Sequence, residues 1–201
     1  VIMNRALKIG ILEGDDIGLE VVPETIKVMR AAAGKCALDI DWHPVPIGKK
    51  AYDTLGYTQP PGTLEKLDTL DGWVLGPIGH REYPRNDPTW VNAHPVLRLH
   101  FQFFANYKPF RSYDNLPSMH KNIDMLFLRE TTEGFKVDGN LFKGYGEFMP
   151  TDEMAIGVCV TTRKKSRLIA EAAFEAAQAR PRKKVAAVHK NTVYRYGDGL
   201  F

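Results

Sequence analysis

The sequence predicts an α/β fold. Short apolar runs of strand character alternate with segments whose apolar residues recur at helical spacing. The first such pair meets at a tight Gly-Asp-Asp turn, and no internal repeat suggests a solenoid or propeller instead. In order, Lys8–Leu12 reads as a buried strand closed by Gly14-Asp15-Asp16. Ile17–Ala33 reads as a helix, with Ile17, Val21, Val22, Ile26, Val28 and Met29 at helical spacing and Gly34 as its stop. Leu38–Val45 is a second strand, Thr63–Leu70 a short helix, and Gly72–Gly76 a third strand running into a Gly-Pro turn. Gly79–Thr89, rich in Pro, Gly and charge, is a loop. Ala93–Phe101 is helical, Phe103–Phe110 and Ile123–Leu128 are strands, and Gly139–Thr151 is loop-like. Met154–Thr162 alternates as a strand does. Arg163–Ala179 is a helix with Leu168, Ile169, Ala172, Ala173 and Phe174 on one stripe, and Val185–Val188 is a last strand. The sequence reaches Gly199-Leu200-Phe201 where such a pattern normally opens another helix, so it reads as an unfinished unit.

A chain of 201 residues suffices for one substantial domain or two small ones. With 44% hydrophobic and 25% charged residues it has the composition of a soluble globular protein, which excludes collagen, low-complexity disorder and a disulfide scaffold. No apolar run approaches the roughly eighteen residues of a membrane span, and Val-Ile-Met-Asn-Arg lacks the features of a secretory signal. Cys36 and Cys159 lie in apolar surroundings far apart in sequence. They read as reduced core residues, which places the protein in the cytoplasm. The net charge of +3 is mild. Its densest clusters, Arg163-Lys164-Lys165 with Arg167 and Arg180–Lys184, bracket one helix as solvated turns rather than a phosphate track, so no nucleic-acid partner is expected. A slight basic excess also suits a protein that holds small polyanionic acids.

Several common chemical signatures are missing. No G-x-G-x-x-G follows a strand, and there is no phosphate-binding P-loop, no metal-spaced Cys/His set and no nucleophile elbow. What stands out is a set of cations on or at the ends of elements: Arg98 on a helix, Lys108 ending the next strand and Arg129 ending the one after. Any one of these ordinarily faces solvent or neutralises a carbonyl terminus. Three that converged would suit a ligand with several carboxylates, which guanidinium binds in a bidentate fork.

Four segments, in order, carry a resemblance. Gly14-Asp15-Asp16-Ile17-Gly18-Leu19-Glu20-Val21-Val22 resembles the G-D-G-I-G-P-E-V that opens the isocitrate/isopropylmalate dehydrogenase family. Leu97-Arg98 followed by Ala105-Asn106-Tyr107-Lys108-Pro109 is similar to its L-R…Y-A-N-L-R-P, with the same ten-residue step between the basic positions. Leu128–Gly134 is similar to its R-E-N-T-E-G, and Val188-His189-Lys190-Asn191-Thr192-Val193 to its V-D/H-K-A-N-V. The resemblance spans nearly the whole chain. It implies the family's layered α/β fold, incomplete without the C-terminal half. Residues 1–103 would form the first part of the large domain. Residues 104–201 would form a substrate and dimerisation domain, with an arm around 139–151.

The resemblance also implies chemistry. The family oxidises the hydroxyl of a malate-type acid with NAD or NADP and then removes the β-carboxylate, with Mg2+ or Mn2+ as Lewis acid. On matching positions Arg98, Lys108 and Arg129 would grip the small carboxylic-acid substrate, and Lys108, in place of arginine, would turn a bidentate contact into a point charge. Lys190 matches the family's base, which reaches across a homodimer and needs a depressed pKa to act. Thr192 and Val193 match positions near the nicotinamide. The family's tyrosine acid is replaced by Lys136, which follows Phe135 and becomes the candidate proton donor. Before the helix arginine, Asn92, His94 and Pro95 stand where relatives select the substrate's side group. They argue for a polar or compact substituent, as in isocitrate or tartrate, over an isopropyl group. The family's metal aspartates fall beyond Phe201, so no metal ligand is assigned. Asp15, Asp16 and Glu20 sit at a helix start, where carboxylates are favoured in any protein. A second reading is a non-catalytic or regulatory relative that keeps the polycarboxylate pocket without turnover.

Overall fold

The computed structural model describes residues 5–79, 83, 87–135, 141, 143, 144 and 146–201. They divide into two compact units, Val1–Leu97 and Arg98–Phe201.

In the first unit, β1 (Leu7–Leu12) runs into α1 (Gly18–Lys35), which crosses over to β2 (Ile40–Pro44). Two short helices, α2 (Lys49–Leu55) and α3 (Thr63–Asp68), precede β3 (Gly72–Leu75). The sheet is parallel with order β2-β1-β3, so Ile9 has Trp42 on one side and Gly72 on the other. The core gathers Leu12, Val22, Ile26, Val45, Ile47, Ala51 and Leu67. Gly18, Val22, Ile26 and Ala33 face inward from α1, while Ile17, Val21 and Val28 stay exposed, so the buried stripe is narrower than the sequence pattern. The helix also outruns its expected stop. Gly34 remains helical, the reversal falls on Ala37 at φ 51°, and the Leu38 N–H donates to the Ala33 carbonyl. Cys36 caps this end and is exposed, contrary to the core role expected of it, because it follows the last turn that faces the sheet. The helix α2 has no signature in the sequence, because Ala51 is its one buried residue and leaves no stripe. At the start of the unit Arg5 donates through both terminal nitrogens to Asp71, at 2.7 and 2.5 Å, and the Lys8 N–H joins them at 2.9 Å. These donors hold the Asp71 carboxyl well below the usual carboxylate range.

The division falls inside α4 (Ala93–His100), whose N-terminus is capped by the Asn92 side-chain oxygen accepting the His94 N–H. In the second unit, β4 (Ala105–Arg111) and β5 (Asp124–Glu130) form an antiparallel pair, and α5 (Arg163–Gln178) packs against β5. Lys108 therefore stands within β4 rather than at its end. Pro109 is accommodated because each strand of a two-stranded ribbon is an edge. β6 (Glu147–Thr151) and β7 (Met154–Gly157) form a hairpin, and every residue of both strands is exposed. The strand expected over Met154–Thr162 stops at Gly157; beyond it Val160 only bridges Gly134, and Cys159 is exposed rather than buried. On α5 the inward residues are Ile169, Ala172 and Ala177, whereas Phe174, expected on the buried stripe, points out. Val185–Val188 is not a strand. It runs without a ladder among the described residues, and a strand needs a partner for its backbone groups. The last element is the single turn α6 (Gly197–Leu200). Among the described residues no helix is long and apolar enough to cross a membrane.

Candidate substrate-binding site

Alternation along β4 and β5 sorts their side chains onto two faces. Asn106 pairs with Arg129 and Lys108 with Phe127, so these four share one face with Phe110 and Met125. On the other face Leu126 and Leu128 are half-buried on the strand that packs on α5, and Asp124 accepts from Arg180 at 2.6 Å. Lys108 and Arg129 are diagonal neighbours, which in antiparallel pairs means a separation of roughly 7–8 Å. That span lets one small polycarboxylate engage both. Arg98, in the last turn of α4, is tied to the head of β4 through its carbonyl, which accepts the Phe103 N–H at 3.0 Å. Gln102, at φ 54°, makes the reversal. The Thr131 N–H and hydroxyl then bond the carbonyls of Phe104 and Phe103, extending the ladder toward that helix end. Arg98, Lys108 and Arg129 form no ion pair with any described residue, unlike Arg5, Lys27, Lys49, Lys50 and Arg180.

The segment after Arg129 is held by its own acids. Both Glu130 oxygens accept the Thr132 N–H at 2.9 Å, one takes the Thr132 hydroxyl, and the other takes the Glu133 N–H at 2.7 Å. Glu133 accepts from Thr162, the N-cap of α5, at 2.8 Å from its N–H and 2.6 Å from its hydroxyl. Gly134, at φ 87°, exchanges two backbone hydrogen bonds with Val160. The residues Glu130–Gly134 thus build a turn, with Arg129 as the motif's side chain left free to act.

Lys190 lies on the exposed segment before α6. Its N–H donates to Asp198 at 2.5 Å, and its carbonyl accepts from Val193 and Tyr194. Thr192 and Val193 are exposed in the same turn. His94 belongs to the first unit, half-buried on the first turn of α4. Lys136 lies outside the described residues.

A further constellation surrounds Asp15, with no signal in the local sequence pattern. Asp15 is more than a helix-start carboxylate: it is buried and accepts the Lys49 N–H at 2.6 Å, the Gly79 N–H at 2.7 Å and the Tyr83 hydroxyl at 2.5 Å. It stands at the carboxyl ends of β1 and β3, where strand order reverses and open parallel sheets hold their ligands. The glycines there pack loop on loop. A Cβ on Gly76 would sit 1.9 Å from the Glu13 carbonyl oxygen, and one on Gly48 2.4 Å from Asp15 Oδ1. A side chain at either position would collide with these groups, so both places need glycine. Among the described residues no group of three or more His, Cys, Asp or Glu side chains could hold a metal ion.

The family profile described as isocitrate/isopropylmalate dehydrogenase matches residues 8–201. A 3-isopropylmalate dehydrogenase of Saccharolobus solfataricus is 32% identical over 96% of this chain and 53% of its own length. A homoisocitrate dehydrogenase of Methanocaldococcus jannaschii is 31% identical over 97% and 55%. The crystal structure of isocitrate dehydrogenase from Methylococcus capsulatus superposes with a TM-score of 0.76 at 27% identity, covering 96% of this chain and 54% of that one. The chain spans about half the length of the curated relatives it matches. With a family profile covering nearly all of it and the same fold in a solved relative, the chain belongs to the isocitrate/isopropylmalate dehydrogenase family.

Proposed function

We propose that this chain supplies the acid-binding half of an NAD(P)- and divalent-metal-dependent dehydrogenase, one that oxidises and decarboxylates a malate-type 2-hydroxy acid. The observation that carries the reading is the shared face of Lys108 and Arg129, two cations without a carboxylate partner among the described residues. With Arg98 they provide three positive donors for a polycarboxylate. When bound, NAD(P) accepts the hydride and the metal polarises the hydroxyl. The described residues offer no ligand cluster of three or more His, Cys, Asp or Glu for the metal. The steps assigned to this chain are therefore binding and proton handling.

Arg129 presents two parallel N–H donors to one carboxylate, and Lys108 holds a second as a point charge. Lys190 takes the hydroxyl proton in a neighbouring subunit. The exposed β6–β7 hairpin, with Phe148, Met149, Met154 and Ile156 uncovered, supports a homodimer paired through this arm. His94, before Arg98, contacts the substituent of the acid, Thr192 and Val193 approach the nicotinamide, and Lys136 delivers the proton after decarboxylation.

The test is reduced-cofactor formation with Mn2+ across isocitrate, isopropylmalate, tartrate and malate, alongside calorimetric binding of each acid. Turnover that disappears in Lys190→Ala supports the enzyme reading. Binding that disappears in Arg129→Ala without any turnover supports the non-catalytic relative. An acid that binds wild type and Arg129→Ala equally overturns the site.

A further inference from the structure

We propose that Glu133 is a positioning residue for Arg129: its carboxylate clamps the end of β5 to the N-cap of α5 and so keeps Arg129 in register with Lys108. The proposal rests on the reading that the Lys108–Arg129 face binds a carboxylate. Arg129 is the penultimate residue of β5 in a ladder of only two strands. Such ribbons are marginal alone and open first at their ends. A cation that must meet a ligand together with a partner on the neighbouring strand cannot tolerate that fraying, since a displacement of about 1 Å already degrades such a contact.

The bonds that pin this end differ in reach. Thr131 ties it to Phe103 and Phe104 ahead of β4, Gly134 pairs with the Val160 backbone, and Glu130 gathers donors only two and three residues ahead. Glu133 reaches across to Thr162, 29 residues on, and uses one carboxylate oxygen for the N–H and the other for the hydroxyl. Thr162 Oγ1 also accepts the Lys165 N–H at 3.2 Å, so the clamp and the start of α5 share one side chain. The carboxylate moreover lies at a helix N-terminus, where the macrodipole favours negative charge.

The Lys190 segment passes near the same junction. A Cβ on Gly197 would lie 3.6 Å from Thr161 Oγ1, and the adjacent Asp198 accepts the Lys190 N–H.

The experiment uses the full chain and L-malate as the probe. Wild type, Arg129→Ala, Glu133→Ala, Thr162→Val and Thr162→Ser are titrated calorimetrically well below their melting temperatures, and amide hydrogen exchange is followed over residues 126–134 and 188–198. Glu133→Ala and Thr162→Val are expected to weaken malate about tenfold and to speed exchange at Thr131 and Gly134. Thr162→Ser, which keeps the hydroxyl, restores both. A merely structural clamp would lower the melting temperature and leave the affinity of the folded protein unchanged, and that result overturns the proposal. If Glu133→Ala does not fold, the Val/Ser pair at Thr162 decides it. If wild type binds no malate and Arg129→Ala behaves identically, the carboxylate reading falls, and exchange decides the clamp: unchanged protection over 126–134 overturns it.

Discussion

Lys108 and Arg129 stand one diagonal step apart on a single face of the β4–β5 pair, because Asn106 is the residue directly opposite Arg129. Ten residues of sequence separate Lys108 from Arg98, and twenty-one from Arg129. Only the ladder register turns the Lys108–Arg129 separation into a short distance across one strand gap. The apolar residues of the same face, Phe110, Met125 and Phe127, are exposed, so the cations border an apolar strip.

Lys108→Arg is expected to tighten the binding of dicarboxylic acids. It replaces a rotatable point charge with a planar fork, and the gain is about 1 kcal/mol, roughly fivefold. Arg129→Ala removes a charge-assisted contact and costs about 1.5–3 kcal/mol of binding. Calorimetric titration of the two variants against wild type checks both, and equal affinities across the three would count against this face.

Asp15→Ala should destabilise the first unit by on the order of 2 kcal/mol, since it takes a buried acceptor away from the part-buried bonds to the Lys49 and Gly79 amides and the Tyr83 hydroxyl. Urea denaturation measures this. A midpoint shift no larger than that of an ordinary surface substitution would show that the three donors find other acceptors.

Two glycine substitutions should move stability in opposite directions. Gly76→Ala puts a methyl group 1.9 Å from the Glu13 carbonyl oxygen, a backbone clash that no rotamer relieves, so little folded protein is expected. Gly34→Ala lies in the exposed last turns of α1 with nothing within 4 Å of the new Cβ. It should raise stability by about 0.5–1 kcal/mol through helix propensity and a less flexible unfolded chain. Thermal melts of the pair give the comparison.

Acid should weaken the first unit through Asp71 and Asp87. The Arg5 side chain, then the Lys8 N–H, hold the Asp71 carboxyl well below its usual range. The Thr89 hydroxyl and N–H lower that of Asp87. A carboxyl depressed in the folded state contributes stability above its unfolded value, and that contribution is lost as pH falls through the folded value. Stability is therefore expected to be flat above about pH 5 and to decline below about pH 4. Asp71→Asn should flatten part of the decline, measured as unfolding midpoints from pH 7 to 2.5. An unchanged slope in that variant would remove Asp71 from the account.

The sequence by itself determined the alternation of strands and helices and the family, since each is written in local periodicity and in motifs contiguous along the chain. Lys8–Leu12 and Arg163–Ala179 are legible because an apolar run or stripe is fixed by side chains a few residues apart. What it misplaced depends on partners distant in sequence. Val185–Val188 has strand composition but no ladder, and Cys36 and Cys159 have apolar neighbours in sequence but exposed surroundings in space. Asp15 looks like an ordinary helix-start acid, and Glu133 is one position of the 128–134 motif with no partner in view, until the fold brings Gly79 and Thr162 within hydrogen-bond distance. Tertiary structure alone decided which carboxylates are occupied by the protein's own donors, because a hydrogen bond is set by separation and direction in space, and sequence spacing fixes neither beyond a turn or two.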